Sequence, residues 1–118
     1  MAGLTTHVLD TTRGRPAAGV EVTLHSLGAD GGRQLLITTR TNKDGRTDAP
    51  LIAPAEARIG AFELSFHVGD YFRAEGAITA DPPFLDVVPI RFAIADPQSH
   101  YHVPLVVTPW SYSTYRGS

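Results

Sequence analysis

Apolar residues in this 118-residue chain recur at every second position, in short runs cut off by glycine and proline, and this period of two constrains the fold more than any other feature. A strand turns successive side chains to opposite faces, so each run buries one face and wets the other. Val20, Val22 and Leu24 alternate with Glu21, Thr23 and His25. Phe62, Leu64, Phe66 and Val68 alternate with Glu63, Ser65 and His67, and Val88, Ile90, Phe92 and Ile94 with Pro89, Arg91 and Ala93. The 11 Gly and 9 Pro set turns at strand-like intervals. Asp30-Gly31-Gly32 joins the first of these runs to the β-rich Leu35-Leu36-Ile37-Thr38-Thr39, which predicts a hairpin. Pro89 has no amide hydrogen and demands an edge strand or a bulge. The fold class is therefore all-β, two antiparallel sheets packed face to face. Only Gly69–Gly76 departs from alternation; it predicts a short helix with Asp70 as N-cap and Gly76 as terminator. Asn42-Lys43-Asp44-Gly45-Arg46 reads as a turn and Ala53-Pro54-Ala55-Glu56 as a surface loop.

A chain with 42% hydrophobic residues at this length buries about two-thirds of its unfolded surface, so residues 1–118 are expected to form one domain. Cysteine is absent, which excludes disulfides, thiolate metal sites and a cysteine nucleophile. Ten basic and twelve acidic residues are interspersed, for a formal charge of -2; with no basic cluster, neither nucleic acid nor an anionic membrane is an expected partner. The apolar stretches are far shorter than the roughly 20 residues a spanning helix needs. The N-terminus reaches strand-like sequence at once, without a charged leader or apolar signal core, so the expected location is cytoplasmic.

Chemistry concentrates near the two ends. In Ser99–Thr108, alternation turns Tyr101, Val103, Leu105 and Val107 to the core and His100, His102, Pro104, Val106 and Thr108 outward. The same rule separates Thr6 and Val8 from Thr5, His7 and Leu9, so His7 shares an outer face with His102 if the two terminal strands pair. A single outer-face histidine is ordinarily a solvated side chain, and His25 and His67 are read that way. Three imidazoles, His7, His100 and His102, match the ligand number of some zinc enzymes and alternating spacing makes such a site geometrically conceivable, although no carboxylate accompanies them. The aromatic, basic stretch Pro109–Ser118 is strand-like; left bare it would be adhesive, so it is expected to pack against another subunit. Alternation would set Ser113, Tyr115 and Gly117 on one face of that strand.

The ending Tyr115-Arg116-Gly117-Ser118, together with His100-Tyr101-His102-Val103-Pro104-Leu105 and Leu4-Thr5-Thr6-His7-Val8-Leu9-Asp10, resembles the 5-hydroxyisourate hydrolases, the transthyretin-related enzymes of urate degradation. Asp44-Gly45-Arg46-Thr47-Asp48 and Phe62–Gly76 fall where that family has a turn and a strand-plus-helix unit, so the resemblance spans the chain. It implies a transthyretin-like sandwich of two four-stranded antiparallel sheets with one short helix. It further implies a homotetramer, a dimer of dimers, with active sites in the channel between dimers and no cofactor. The implied reaction is hydrolysis of 5-hydroxyisourate to 2-oxo-4-hydroxy-4-carboxy-5-ureidoimidazoline. Carried over by position, the site residues are His7, Arg46, His102 and the segment Tyr115, Arg116, Gly117 and Ser118.

Those residue types suit the implied reaction. Histidine titrates near pH 6.5, so His7 and His102 can divide the base and acid steps, although alternation does not say which does which. Arg46 offers a permanently charged fork of donors for an oxygen-rich substrate; apart from the resemblance it is a solvated turn arginine. Ser118 lacks a Gly-x-Ser-x-Gly elbow and is expected to orient substrate or water rather than attack. A transthyretin-like carrier of small hydrophobic ligands in the same channel is the competing function, and a non-catalytic interaction module a third. Polar walls made by His7, His102 and Tyr115 favour turnover of a small polar heterocycle. Exhaustive chelation is expected to leave hydrolysis of freshly generated 5-hydroxyisourate unchanged; loss of activity, restored by added zinc, would install a metal in the reaction.

Overall fold

The computed structural model describes residues 2–78 and 80–117. Its strands are β1 (Gly3–Asp10), β2 (Arg15–Pro16), β3 (Glu21–Leu27), β4 (Arg33–Arg40), β5 (Gly60–His67), β6 (Val87–Ile94), β7 (His100–Val107) and β8 (Tyr112–Thr114), with one helix, α1 (Val68–Ala74), between β5 and β6. They form two four-stranded sheets, ordered β2-β1-β7-β8 and β4-β3-β5-β6. Two packed sheets and a short helix are what alternation leads to, and the division into four and four is what the resemblance implies. One pairing differs from an all-antiparallel arrangement. β1 and β7 run parallel, with Thr5 beside His102 and His7 beside Pro104, because these strands are joined by no hairpin and meet only through the long intervening chain.

Alternation sorts most side chains as expected; the exceptions are Glu63 and Ser65 on the central strand β5 and Pro104 on β7, whose outer face is also covered, Glu63 lying beneath ion pairs with Arg33 and Arg91. Leu4 and Val8 from the first sheet, with Leu105 and Val107, meet Val22, Leu24, Phe62, Leu64, Phe66 and Val88 from the second in one buried cluster. Thr6 and Val103 also face inward, and the buried Thr6 hydroxyl donates to the Val103 carbonyl at 2.6 Å, a cross-strand bond that adds to the backbone ladder. The β3–β4 hairpin turns through Asp30, whose Oδ1 accepts from the Gly32 amide. Pro89 lies on β6, the edge of the second sheet, where a missing donor is tolerated.

The helix begins earlier than the sequence indicates. Val68 opens it and His67 occupies the N-cap with no side-chain hydrogen bond, so Asp70 is not the cap. The segment is pinned instead by burial of Val68, Tyr71 and Phe72, which outweighs a missing cap, while Asp70 pairs with Arg73 at 3.4 Å on the exposed side. At the other end Gly76, at φ +75°, donates to Arg73 O, and Ala77 donates to Phe72 O, the paired closure that a left-handed glycine permits. The expected surface loop at residues 53–56 is exposed but contains a single 3-10 turn, Pro54–Glu56, with proline fixing its first residue.

A buried carboxylate ties α1 to the first sheet. Asp10 is fully buried at the end of β1; its Oδ1 accepts from the amides of Thr12 and Arg13, and its Oδ2 accepts from the Tyr71 hydroxyl at 2.8 Å. Burial, reinforced by the Asp10 hydrogen bond and charge, pushes the Tyr71 phenol up to about 12 from 10.0. A phenol whose folded pKa is raised stabilises the fold fully below its unfolded value and loses that contribution as pH climbs through the folded one. Stability of the wild-type chain in urea is therefore expected to decline between pH 10 and 12. Tyr71→Phe, which strands Oδ2, is expected to cost about 1.5–3 kcal/mol at pH 7 and to flatten that decline. Equal stability of the two proteins at pH 7 would remove this bond from the fold's support.

Candidate active site

The parallel β1–β7 pairing creates the site. On the outer face of the first sheet Thr5 lies directly opposite His102, and His7 follows two residues further along β1. Strand spacing and rise put the His7 and His102 backbones roughly 8 Å apart on the same face. Each histidine is also flanked by a segment outside the regular strands. Arg46 bridges to His7 on the far side of β1, and Gly117 bridges to His102 on the far side of β7. Four residues from positions 7, 46, 102 and 117 are thus laid side by side across one sheet.

Arg46 is delivered by a tightly specified turn. Asn42 Oδ1 accepts from the amides of Asp44 and Arg46, Asn42 N–H donates to Arg46 O at 2.7 Å, and Gly45 N–H closes back on Asn42 O at 2.9 Å. Gly45 sits at φ +75°, and a Cβ there would lie 2.4 Å from the Val8 carbonyl oxygen. Only glycine lets this turn approach β1 so closely, and the Val8 amide donates to Gly45 O at 2.8 Å as a result. The Arg46 side chain is exposed and makes no ion pair among the described residues.

Both imidazoles are half-buried and polar-anchored. His7 Nε2 lies 2.9 Å from Asp44 O; a carbonyl only accepts, so Nε2 carries the hydrogen and the lone pair of neutral His7 is on Nδ1. His102 Nδ1 lies 2.8 Å from Thr5 Oγ1. Burial, then the Arg46 guanidinium, hold the His7 pKa below 6.5. The same two causes, with lesser contributions from His7 and His100, hold His102 below 6.5. Near neutral pH the site therefore presents two uncharged imidazoles beside a permanent cation. Among the described residues no three of His, Cys, Asp and Glu are grouped closely enough to hold a metal ion.

The last residues divide. Gly117 N–H donates to His102 O at 2.7 Å, and a Cβ on Gly117 would stand 2.8 Å from His102 Cδ2, so the missing side chain is what admits the tail beside the ring. Arg116 turns the other way: its guanidinium stacks 4.0 Å over the Tyr101 ring and donates to His100 O at 3.3 Å. Tyr115 and Arg116 line a cavity of about 230 Å³ in the seam between the sheets, with Ile90, Phe92 and Val103. Strand β8 ends at Thr114, but the Gly117–His102 bridge continues its register, so Gly117 stands on the outer face as alternation predicts. Ser118 lies outside the described residues. His25 and His67 belong to the second sheet, where His67 faces Glu21 at 3.6 Å and His25 faces Arg33 at 3.4 Å, away from His7 and His102. A strand threonine is too common to mark Thr5 in the sequence; its register opposite His102 is visible only once β1 and β7 are paired.

The sequence pattern of the HIUase/Transthyretin family matches residues 4–117. The chain belongs to this family. The 5-hydroxyisourate hydrolase of Deinococcus radiodurans is 61% identical over 116 residues, covering 98% of this chain and 96% of that protein. The solved 5-hydroxyisourate hydrolase of Klebsiella pneumoniae superposes with a TM-score of 0.81 at 33% identity over the full length of both chains. (S)-allantoin synthase superposes with a TM-score of 0.90 at 46% identity; 98% of this chain aligns there, spanning 43% of that longer chain.

Gly117→Ala tests the close approach at His102. The added methyl is expected to displace the imidazole or release the tail, at a cost of about 1–3 kcal/mol, with altered His102 ring resonances and faster exchange of the residue 117 amide. Unchanged resonances and protection would show that the ring and tail do not constrain each other.

Proposed function

We propose that this chain hydrolyses 5-hydroxyisourate to 2-oxo-4-hydroxy-4-carboxy-5-ureidoimidazoline, with His7 and His102 moving the proton and Arg46 holding the developing negative charge. The observation that carries the reading is the gathering of His7, Arg46 and His102 on one face of the β1–β7 pair. The names of its relatives support the substrate.

An uncharged imidazole can accept a proton from water as the water oxygen attacks the ring carbonyl carbon. The carbonyl π electrons pass to its oxygen, and the nearby Arg46 guanidinium stabilises that oxyanion. Collapse breaks the carbon–nitrogen bond, and the imidazolium returns its proton to the leaving nitrogen. One water is consumed, the imidazole is regenerated and no other reactant is needed. The cation contributes twice, since it adds to burial in keeping the imidazoles unprotonated beforehand and opposes charge on the substrate oxygen afterwards. Ser118, Tyr115 and Arg116 belong to the proposal as substrate-positioning residues contributed by the terminal segment.

The active unit in this reading is a homotetramer, a dimer of dimers whose channel is walled by the outer faces of first sheets. Trp110, Tyr112 and Tyr115 are exposed around the short edge strand β8, which supports coverage of that edge by another copy. Carriage of a hydrophobic ligand, the transthyretin-like alternative, fits less well. A face bearing two imidazoles and an exposed guanidinium would have to give up their hydration to an apolar guest.

The decisive experiment follows the disappearance of freshly generated 5-hydroxyisourate spectroscopically, with the uncatalysed decay as control. His102→Asn is expected to reduce kcat by about 10²–10⁴-fold with the assembly intact; near-normal turnover would remove His102 from the mechanism. Because the working form is uncharged, kcat/KM of the wild type is expected to be level at neutral pH and to fall only as pH drops below 6.5. Arg46→Gln removes a cause of that depression and is expected to move the acid limb upward while lowering kcat by about 10²–10³-fold. An unmoved limb would contradict the electrostatic role. Dilution to monomers is expected to abolish turnover, and a fully active monomer would overturn the shared channel.

A further inference from the structure

One hydroxyl stands between two imidazoles on the outer face of the first sheet. Thr5 Oγ1 is 2.8 Å from His102 Nδ1 and 3.0 Å from His100 Nε2. The two rings lie nearly parallel, 16° apart with centroids separated by 6.5 Å, and Thr5 reaches them from the neighbouring strand because its register position is directly opposite His102. A threonine hydroxyl has a single hydrogen and can donate to only one of these nitrogens; toward the other it must accept, and that nitrogen must carry the hydrogen. The position of the proton on one imidazole is thereby linked to its position on the other.

We propose that Thr5 is a positioning residue that fixes the tautomer of His102, with His100 as the terminal acceptor. His102 Nδ1–H donates to Thr5 Oγ1, and the Thr5 hydroxyl donates to His100 Nε2. His102 then keeps its lone pair on Nε2, the nitrogen left free by this chain. When Nε2 takes a proton, the Nδ1–H bond to Thr5 is already in place, so no hydrogen bond has to be rebuilt during the reaction. The arrangement fills the position that a carboxylate takes behind a catalytic histidine, but with a neutral group. A carboxylate there would raise the basicity of His102 and favour its charged form. A hydroxyl fixes ring and tautomer with only a weak upward pull, which burial and the Arg46 guanidinium outweigh. The opposite polarity, with Thr5 donating to His102, would put the hydrogen on Nε2 and leave His102 unable to accept a proton there.

This inference rests on the proposed hydrolysis for its kinetic consequence but not for its structural one. Nitrogen-15 chemical shifts of the His102 ring in the full-length protein near pH 7.5, read without substrate, report the tautomer directly. The expected result is the Nδ1–H form in the wild type. In Thr5→Val, whose side chain keeps the β-branched shape without the hydroxyl, a mixture of tautomers is expected. Thr5→Ser is expected to restore the wild-type shifts. In the 5-hydroxyisourate assay Thr5→Val is expected to lower kcat on the order of 10²-fold with little change in KM, and Thr5→Ser to recover most of it. An Nε2–H tautomer in the wild type, or unchanged shifts and kcat in Thr5→Val, would overturn the assignment. Equal impairment of Val and Ser variants would do the same, since bulk rather than the hydroxyl would then be responsible. A wild-type protein that fails to hydrolyse 5-hydroxyisourate would overturn the proposed function, while the ring shifts would still decide the tautomer.

Discussion

The parallel ladder between β1 and β7 is the constraint on which the rest of this structure depends. It joins residues 3–10 to residues 100–107, so the cost of closing nearly the whole chain into a loop must be met by contacts made in the sheet itself. Continuous backbone pairing, the buried Thr6–Val103 bond and the inward side chains Leu4, Val8, Val103 and Leu105 supply them. Because a parallel register sets like faces beside each other, burying Thr6 and Val8 obliges Thr5 and His7 to stand on the opposite face with His102. The site is the outer surface of the same pairing that closes the core. Its placement needs no additional folding element.

The two pinned additions to this face show a common physical device, the removal of a side chain where backbone must come close. Gly45 lets the turn carrying Arg46 reach the Val8 carbonyl, and Gly117 lets the terminal segment lie against the His102 ring. Each glycine gives up conformational restriction in exchange for proximity, and each admits a segment from outside the regular strands. The guanidinium that arrives this way acts on both imidazoles through its field, so the protonation state of the histidines is a property of the assembled face and not of either strand. Elsewhere in the molecule a buried charge has a purely structural use. Asp10 is satisfied by two amides and the Tyr71 phenol and locks α1 against the first sheet.

Strand periodicity read the inward and outward residues of β1, β3, β5, β6 and β7, because a half-buried strand writes its two environments alternately along the chain. The β3–β4 hairpin and the edge location of Pro89 were legible for equally local reasons, a glycine turn and a missing amide hydrogen. The helix start was not. Asp70 resembles a cap, yet burial of Val68 moved the first turn back and left Asp70 on the surface. Beyond Thr114 the regular strand stops, yet the Gly117–His102 bridge keeps the β7–β8 register, so alternation still sets Gly117 beside the outward His102 ring and Arg116 over Tyr101.

What the sequence alone determined is therefore everything with a short range: the all-β class, the face of each strand, the turn that carries Arg46 and the outward placement of His7 and His102. Tertiary structure decided the direction of the β1–β7 pairing, the register that sets Thr5 against His102, and the bridges that bring Arg46 and Gly117 alongside the histidines. Periodicity records only whether a residue faces oil or water. It carries no information on which distant strand lies next door, because that choice is made by the collective packing of both sheets.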